Sequence, residues 1–197
     1  MTLILVRHGE SEGNIRGIIT GSLDLDLTDL GREQARRVGE RLASEPVAAL
    51  YASTRIRAAN TAAAIGAHHG LEPTLIAGLD EYRYGVAEGL TWAEFAERYP
   101  RDMADWGRGA VPGEEGRDLF RTRVATAIDE LAERHVQDVA VVACHGGTIL
   151  HVLAHIMQLP ADSAPRTRIG NCSITTITHA NGRAEITLVN DLCHLVD

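Results

Sequence analysis

The chain opens on an unbroken run, Thr2-Leu3-Ile4-Leu5-Val6, closed by Arg7. A short apolar run without alternation, bounded by polar residues, reads as a strand buried on both faces. The same signature returns at 47–52 and 138–143, with a shorter one near 73–76. Between these runs the apolar positions fall at helical spacing. Thr28 can N-cap a helix running to about 44, with Leu30, Val38 and Leu42 on one face, and Pro46 stops it. A second helix runs from about 55 to 69 and ends at Gly70. Phe120, Val124, Ile128 and Leu131 mark one face of a helix from about 116 to 135. Gly146 and Gly147 open another, to about 157. Late strands near 173–178 and 184–190 flank Ala180-Asn181-Gly182, a hairpin signal. Residues 8–28 read as a loop. Residues 77–115 read as irregular with short helices, for example at 91–98 before Pro100, and are expected to form a lid or substrate wall. Strands alternating with helices predict an α/β fold, a three-layer α/β/α sandwich with a mostly parallel central sheet.

Length adds that residues 1–197 form a single domain. Hydrophobic residues at 45% and charged residues at 23% exclude a disordered or fibrous chain. The apolar runs are too short for a membrane-spanning helix or a signal peptide, so a cytoplasmic location is expected. A net charge of −8 makes nucleic acid and anionic membrane poor partners. All 19 cations are Arg, which codon bias explains and which also suits bidentate phosphate binding. Cys144, Cys172 and Cys193 have no metal-ligand spacing and read as reduced, mostly buried thiols.

Ligand sites of parallel sheets lie at the carboxyl ends of the strands. Two strands here end alike, in Arg7-His8-Gly9-Glu10 and in Cys144-His145-Gly146-Gly147. Two imidazoles can therefore sit side by side, and His145 precedes a helix N-terminus, which favours anions. The strand at 47–52 delivers Ser53, Arg55 and Arg57 to the same end. Paired His and several Arg at one anionic site read as phosphate chemistry. His151 and His155, at i and i+4, permit a metal site, but no H-E-x-x-H pattern accompanies them, and they read as core or surface residues.

These segments resemble the histidine phosphatase superfamily, the phosphoglycerate-mutase-like enzymes. Leu5-Val6-Arg7-His8-Gly9-Glu10-Ser11 matches its opening signature, and Asn14 falls where the family often has Asn. Arg57-Ala58-Ala59-Asn60-Thr61-Ala62, Leu79-Asp80-Glu81, Glu88-Gly89-Leu90-Thr91 and His145-Gly146-Gly147 follow in family order. Pro112-Gly113-Glu114-Glu115 is similar to a segment of the phosphatase branch. The resemblance implies that His8 is the nucleophile and forms a phosphohistidine. It implies that Arg7, Arg57 and His145 hold the phosphoryl oxygens and that Glu81 is the proton donor. Asn14, Gly21, Ser22 and Gly146 are expected to join them around the substrate. No metal and no cofactor is implied. Elementary chemistry agrees: nearby Arg disfavours the imidazolium form of His8, and its second ring nitrogen should donate to a carbonyl. Partial burial or a bound phosphate could raise the pKa of Glu81, as a proton donor needs.

The expected reaction is hydrolysis of a small-molecule phosphate ester, because no long lid protects a phosphohistidine from water. Mutase-type phosphoryl transfer and a non-catalytic phosphate-binding regulatory module remain as alternatives. Relatives are often dimers, so a homodimer is an open expectation. The chain departs from the family at Ser22, where Trp is common, and at Ala87, where an aromatic is common. Both changes are expected to widen the pocket. Asp26 replaces a Pro, and Cys144 replaces a Ser. Aromatic residues at 4% argue against stacking on a nucleobase. Arg55 is read as either beside the site or solvated, and His194 as a candidate pocket residue.

Overall fold

The structure is a computed structural model and describes residues 1–160, 163, 165–180 and 183–196. In chain order it forms β1 (Thr2–Arg7), α1 (Glu12–Ile15), α2 (Asp29–Leu42), β2 (Val47–Ala52), α3 (Ile56–Gly66), β3 (Thr74–Leu75), α4 (Trp92–Arg98), α5 (Pro100–Asp105), α6 (Arg117–Arg134), β4 (Val139–Cys144), α7 (Gly146–Ile156), β5 (Ile174–Ala180) and β6 (Arg183–Asp191). The sheet order is β3-β2-β4-β1-β5-β6. Strands β1 to β4 run parallel, and β5 runs antiparallel to both of its neighbours. The expected hairpin turn falls on Asn181 and Gly182, which lie outside the described residues; the β5–β6 pairing reaches Ala180 opposite Arg183.

The period of two along each strand sorts the core into two layers. Leu3 and Leu5 of β1, with Ala140, Val142 and Cys144 of β4, face α6 and α7. Ile4 and Val6, with Val141 and Ala143, face α2 and α3. Burial on both faces explains why these strands read as continuous apolar runs. The predicted face of α6 is buried at Phe120, Val124, Ile128 and Leu131.

Helix α2 corrects one expectation. Its buried stripe is Gly31, Ala35, Val38, Gly39 and Leu42, and Leu30 is exposed. Leu30 sits one residue, about 100°, off that stripe. Gly31 belongs there for another reason: a Cβ would come within 1.9 Å of the Glu10 carbonyl oxygen. The missing side chain lets α2 rest directly on the loop after β1.

Helix α1, of four residues, was not expected, because so few residues register no helical period, while α4 and α5 are short helices of the kind expected within 77–115. The 77–115 region is also less irregular than its sequence. Ile19, Ala87, Phe95 and Val111 form a small core of their own, with Leu90, Tyr99, Met103 and Trp106 packed on it. Ala87 is therefore a core residue rather than a gap in a pocket wall. Cys144 and Cys172 are buried free thiols, and Cys193 is a free thiol on the surface. Among the described residues no helix is long and apolar enough to cross a membrane.

Candidate active site

Strand register brings the two histidine loops together. Arg7 pairs with Cys144, so His8 and His145 leave adjacent strands at the same level. Their ring centroids lie 5.2 Å apart, and both side chains are buried. The Nδ1 of His8 lies 2.7 Å from the Gly9 carbonyl oxygen. A carbonyl only accepts, so Nδ1 carries the hydrogen and Nε2 keeps the lone pair. Burial, and after it the Arg7 and Arg57 guanidinium groups, hold the His8 pKa well below its usual value, so the ring is neutral. Burial is the larger cause; the sequence pointed only to the arginines.

His145 is held by a chain of hydrogen bonds. Its Nε2 lies 2.7 Å from Ser53 Oγ, which lies 2.7 Å from Asp80 Oδ1. The Asp80 carboxylate also accepts from Thr54 N and Oγ1 and from Arg55 Nη2. Burial opposes the charge on Asp80, but the bonds from Ser53, Arg55 and Thr54 outweigh it and hold the pKa below the ordinary carboxylate range. An ionised carboxylate only accepts, so the Ser53 proton points to Asp80. His145 Nε2 must then carry the hydrogen that faces Ser53. Burial, with His8 and the arginines behind it, keeps this ring neutral too. Arg55 is thus fixed beside the site, bonded to Asp80 at 2.7 Å and to the Ser22 carbonyl at 3.0 Å.

Arg57 is fully buried. Its Nη atoms donate to the carbonyls of Leu23 and Gly21 at 2.7 and 2.9 Å. Arg7 donates to the Ile169 carbonyl at 2.5 Å. Arg7 Nε, Arg57 Nε and His145 Nδ1 are buried without a partner. Unpaired buried polar atoms are rare, and the two guanidinium N–H donors among these mark a place for an anionic ligand, whereas His145 Nδ1, with the ring hydrogen on Nε2, offers a lone pair. The Glu81 carboxylate accepts from Tyr82 N at 2.8 Å and from Gly147 N at 3.0 Å. A Cβ on Gly147 would lie 2.3 Å from Glu81 Oε1, so the second glycine after His145 makes room for this carboxylate. Asn14 Oδ1 accepts from Ser11 N, Ser11 Oγ and Asn171 Nδ2, which leaves its amide NH2 for the cavity that it lines.

A cavity of about 380 Å³ joins these groups. Arg7, His8, Asn14, Gly21, Arg57, Glu81 and Gly146 line it, while His145 lies buried behind the surface. Ser22 does not reach it: its hydroxyl and its amide both donate to Glu88, at 2.5 and 2.9 Å, and it borders a neighbouring cleft. His194 also lies elsewhere, against Arg36, Arg37, Glu40 and Arg41 of α2. His151 Nδ1 donates to the Gly147 carbonyl, and His155 Nε2 bonds Asp129, so the two rings serve separate structural contacts.

Sequence reasoning missed two supports. Asn171 ties the His8 carbonyl to Asn14, at 3.0 and 3.1 Å. Asp80 appeared only as a letter in a motif. The composition argument about aromatics also needs correction. Six of the eight aromatic residues lie between 82 and 106, and two of them, Tyr84 and Trp92, line the cavity. A low overall content therefore says little about the local wall.

Comparison with known proteins gives a consistent picture. A profile of the histidine phosphatase superfamily (branch 1) matches residues 3–192. A putative phosphoserine phosphatase 2 of Hydrogenobacter thermophilus is 30% identical over 196 residues, covering 98% of this chain and 96% of that protein. A probable phosphoglycerate mutase GpmB of Photorhabdus laumondii is 31% identical over 185 residues, covering 91% and 85%. The structure of a phosphoserine phosphatase mutant from Entamoeba histolytica in complex with phosphoserine superposes with a TM-score of 0.86. It is 27% identical, and 99% of each chain is covered.

Proposed function

The chain belongs to the histidine phosphatase superfamily, and from that premise we propose that it is a metal-independent phosphomonoesterase working through a phosphohistidine on His8. The observation that carries this reading is the state of His8: Nδ1–H bound to the Gly9 carbonyl and the ring held neutral between Arg7 and Arg57. The Nε2 lone pair is then available to attack phosphorus. Attack forms the N–P bond and breaks the ester P–O bond, while Glu81 gives its proton to the departing oxygen. The resulting Glu81 carboxylate takes a proton from water, whose oxygen attacks phosphorus and releases phosphate. Arg7 and Arg57 neutralise the charge on the transferring group, Asn14 and the Gly146 end of α7 add donors, and His145 joins them by donating from Nδ1 once a bound phosphate dianion favours its protonated form. Two guanidinium groups thereby do what a divalent cation does elsewhere. Gly21 acts by holding Arg57 through its carbonyl. Ser22 acts at one remove, through Glu88 and Arg55. Residues 1–197 are read as one catalytic unit.

The substrate is a phosphate ester of a small metabolite. Relatives named as phosphoserine phosphatases support this class. The GpmB-type relative supports transfer between phosphoglycerates as the second reading. The test is phosphate release from p-nitrophenyl phosphate in excess EDTA by wild type and His8→Ala. Release by wild type alone is expected. Equal release by both would remove His8 as nucleophile. Activity that needs 2,3-bisphosphoglycerate as starter would favour the mutase.

A further inference from the structure

Glu81 sits on a segment that no regular structure holds, since residues 80–83 lie outside every helix and strand. Its carboxylate is fixed by Tyr82 N and Gly147 N, but a side chain is placed only as well as the backbone that carries it. Arg123 of α6 supplies that hold. A guanidinium has five N–H donors in a fixed fork, and Arg123 uses all of them. Its Nη1 donates to the carbonyls of Gly78 and Asp80, at 3.1 and 2.8 Å. Its Nη2 donates to the Glu81 carbonyl at 3.0 Å and to Glu115 Oε1 at 2.9 Å, and Nε donates to Glu115 Oε2 at 3.0 Å. The guanidinium carbon also lies 4.7 Å from the centre of the Phe120 ring.

This pairing gives Pro112-Gly113-Glu114-Glu115 a task. The Glu115 side chain is 8% exposed, and its carboxylate accepts from Arg83 N at 2.8 Å as well as from Arg123. Glu114 accepts from Tyr82 Oη at 2.5 Å. Both carboxylates therefore brace the residues on either side of Glu81. Asp80 has further anchors: its carbonyl accepts from Thr148 Oγ1, and its carboxylate from Ser53, Thr54 and Arg55. Among the described residues the Glu81 carbonyl has Arg123 as its one donor. A filled fork leaves no N–H for a substrate, so Arg123 acts through its neighbours. Resting on the phosphatase reading of Glu81, we propose that Arg123 is the positioning residue of the proton donor. Its bond to the Glu81 carbonyl, backed by Glu115, aims the carboxylate at the departing oxygen.

The test measures kcat/KM for p-nitrophenyl phosphate and glycerol 3-phosphate, because this quotient reports the steps up to ester cleavage. Nitrophenolate leaves with little help from an acid, whereas an alkoxide needs the proton. Arg123→Met keeps an unbranched stem over Phe120 and removes the fork. It should lower kcat/KM by about 10- to 100-fold for glycerol 3-phosphate, the cost of a catalytic group out of place, and by less than about three-fold for p-nitrophenyl phosphate. In a Glu81→Gln background the same change should cost less than about three-fold on either ester. Arg123→Lys, with too few donors for the fork's contacts, should fall between Arg123→Met and wild type. If thermal melts show Arg123→Met unfolded, Glu115→Gln should give the same ester dependence at smaller size. Equal losses on the two esters, no loss on either, or a loss that persists undiminished beside Glu81→Gln would overturn the proposal. Failure of the phosphatase reading looks different: wild type would release phosphate from neither ester, or Glu81→Gln would match wild type on glycerol 3-phosphate. A crystal structure of Arg123→Met decides the positioning in that case. The Glu81 carboxylate should leave Gly147 N, and a retained bond would overturn the proposal.

Discussion

The phosphate end and the alcohol end of the cavity are built in different ways. The phosphate end comes from loops that leave neighbouring parallel strands, and its groups are fixed by backbone carbonyls, amides and one partly buried carboxylate. The alcohol end comes from side chains of separate segments, around residues 18, 84, 92, 150 and 168, and they are partly or fully exposed. Preorganised donors in a buried site act strongly on a developing charge and need no rearrangement. Exposed side chains from unrelated segments can vary without disturbing that frame. The contrast teaches that chemistry and selectivity are separable here, and mutations should separate them.

The largest effects belong at the phosphate end. Glu81→Gln should lower kcat by about 10²- to 10⁴-fold, the worth of a positioned acid–base group, with the greatest loss for poor leaving groups. Gly147→Ala should resemble it, since the added Cβ displaces the same carboxylate. Steady-state rates on alkyl and nitrophenyl esters check both. If Gly147→Ala instead raises KM and spares kcat, Glu81 is not the group it displaces. Next comes the hydrogen-bond chain behind His145. Asp80→Asn should cost about 10- to 100-fold in kcat, the scale for a catalytic group held slightly out of place. It should also alter the pH–rate profile, because the negative charge behind the Ser53–His145 bond is lost and an amide NH2 replaces the oxygen that faced Arg55. An unchanged profile would reduce Asp80 to a packing role.

The alcohol end should respond more weakly. Trp92→Ala should raise KM for p-nitrophenyl phosphate by about 3- to 10-fold through loss of ring contact, with a smaller rise for glycerol 3-phosphate. Equal rises would mean that Trp92 shapes the phosphate end as well. The smallest signal is in stability. His8 and His145 are held neutral in the fold, while the unfolded chain protonates histidine near pH 6.5. Below that pH the unfolded state binds more protons, so stability should fall as pH drops, by up to about 1.4 kcal/mol per pH unit for each ring. Thermal melts between about pH 7 and 5 should show a flatter slope for His145→Gln than for wild type. Parallel slopes would contradict the neutral assignment.

The same division governs what could be read from sequence. The two histidine loops were legible because apolar runs mark buried strands, and parallel strands deliver their following residues to one edge. The α6 stripe was legible from its spacing. Leucine at 30 marks the wrong face of α2 because the tight contact at the Glu10 backbone selects glycine, a residue with no apolar signal, at 31. Asn171 and Asp80 were not legible as supports. Asn171 meets its partners across more than 150 residues of chain, and Asp80 meets Ser53 across 27, so no local pattern announces either bond. The substitutions at Ser22 and Ala87 seemed to enlarge the pocket, yet Ser22 bonds Glu88 and Ala87 fills a small separate core. Whether a side chain lines a cavity depends on how loops pack, which periodicity does not encode.

The central claim is covalent, and rapid quenching during turnover tests it most directly. Wild type mixed with labelled phosphate ester in EDTA, then quenched in base, should carry one acid-labile, base-stable phosphoryl group per chain. Fragment mapping should place that group on His8, and it should be absent from His8→Ala. Label on another residue, or full turnover with no phosphoenzyme in wild type, would contradict the mechanism.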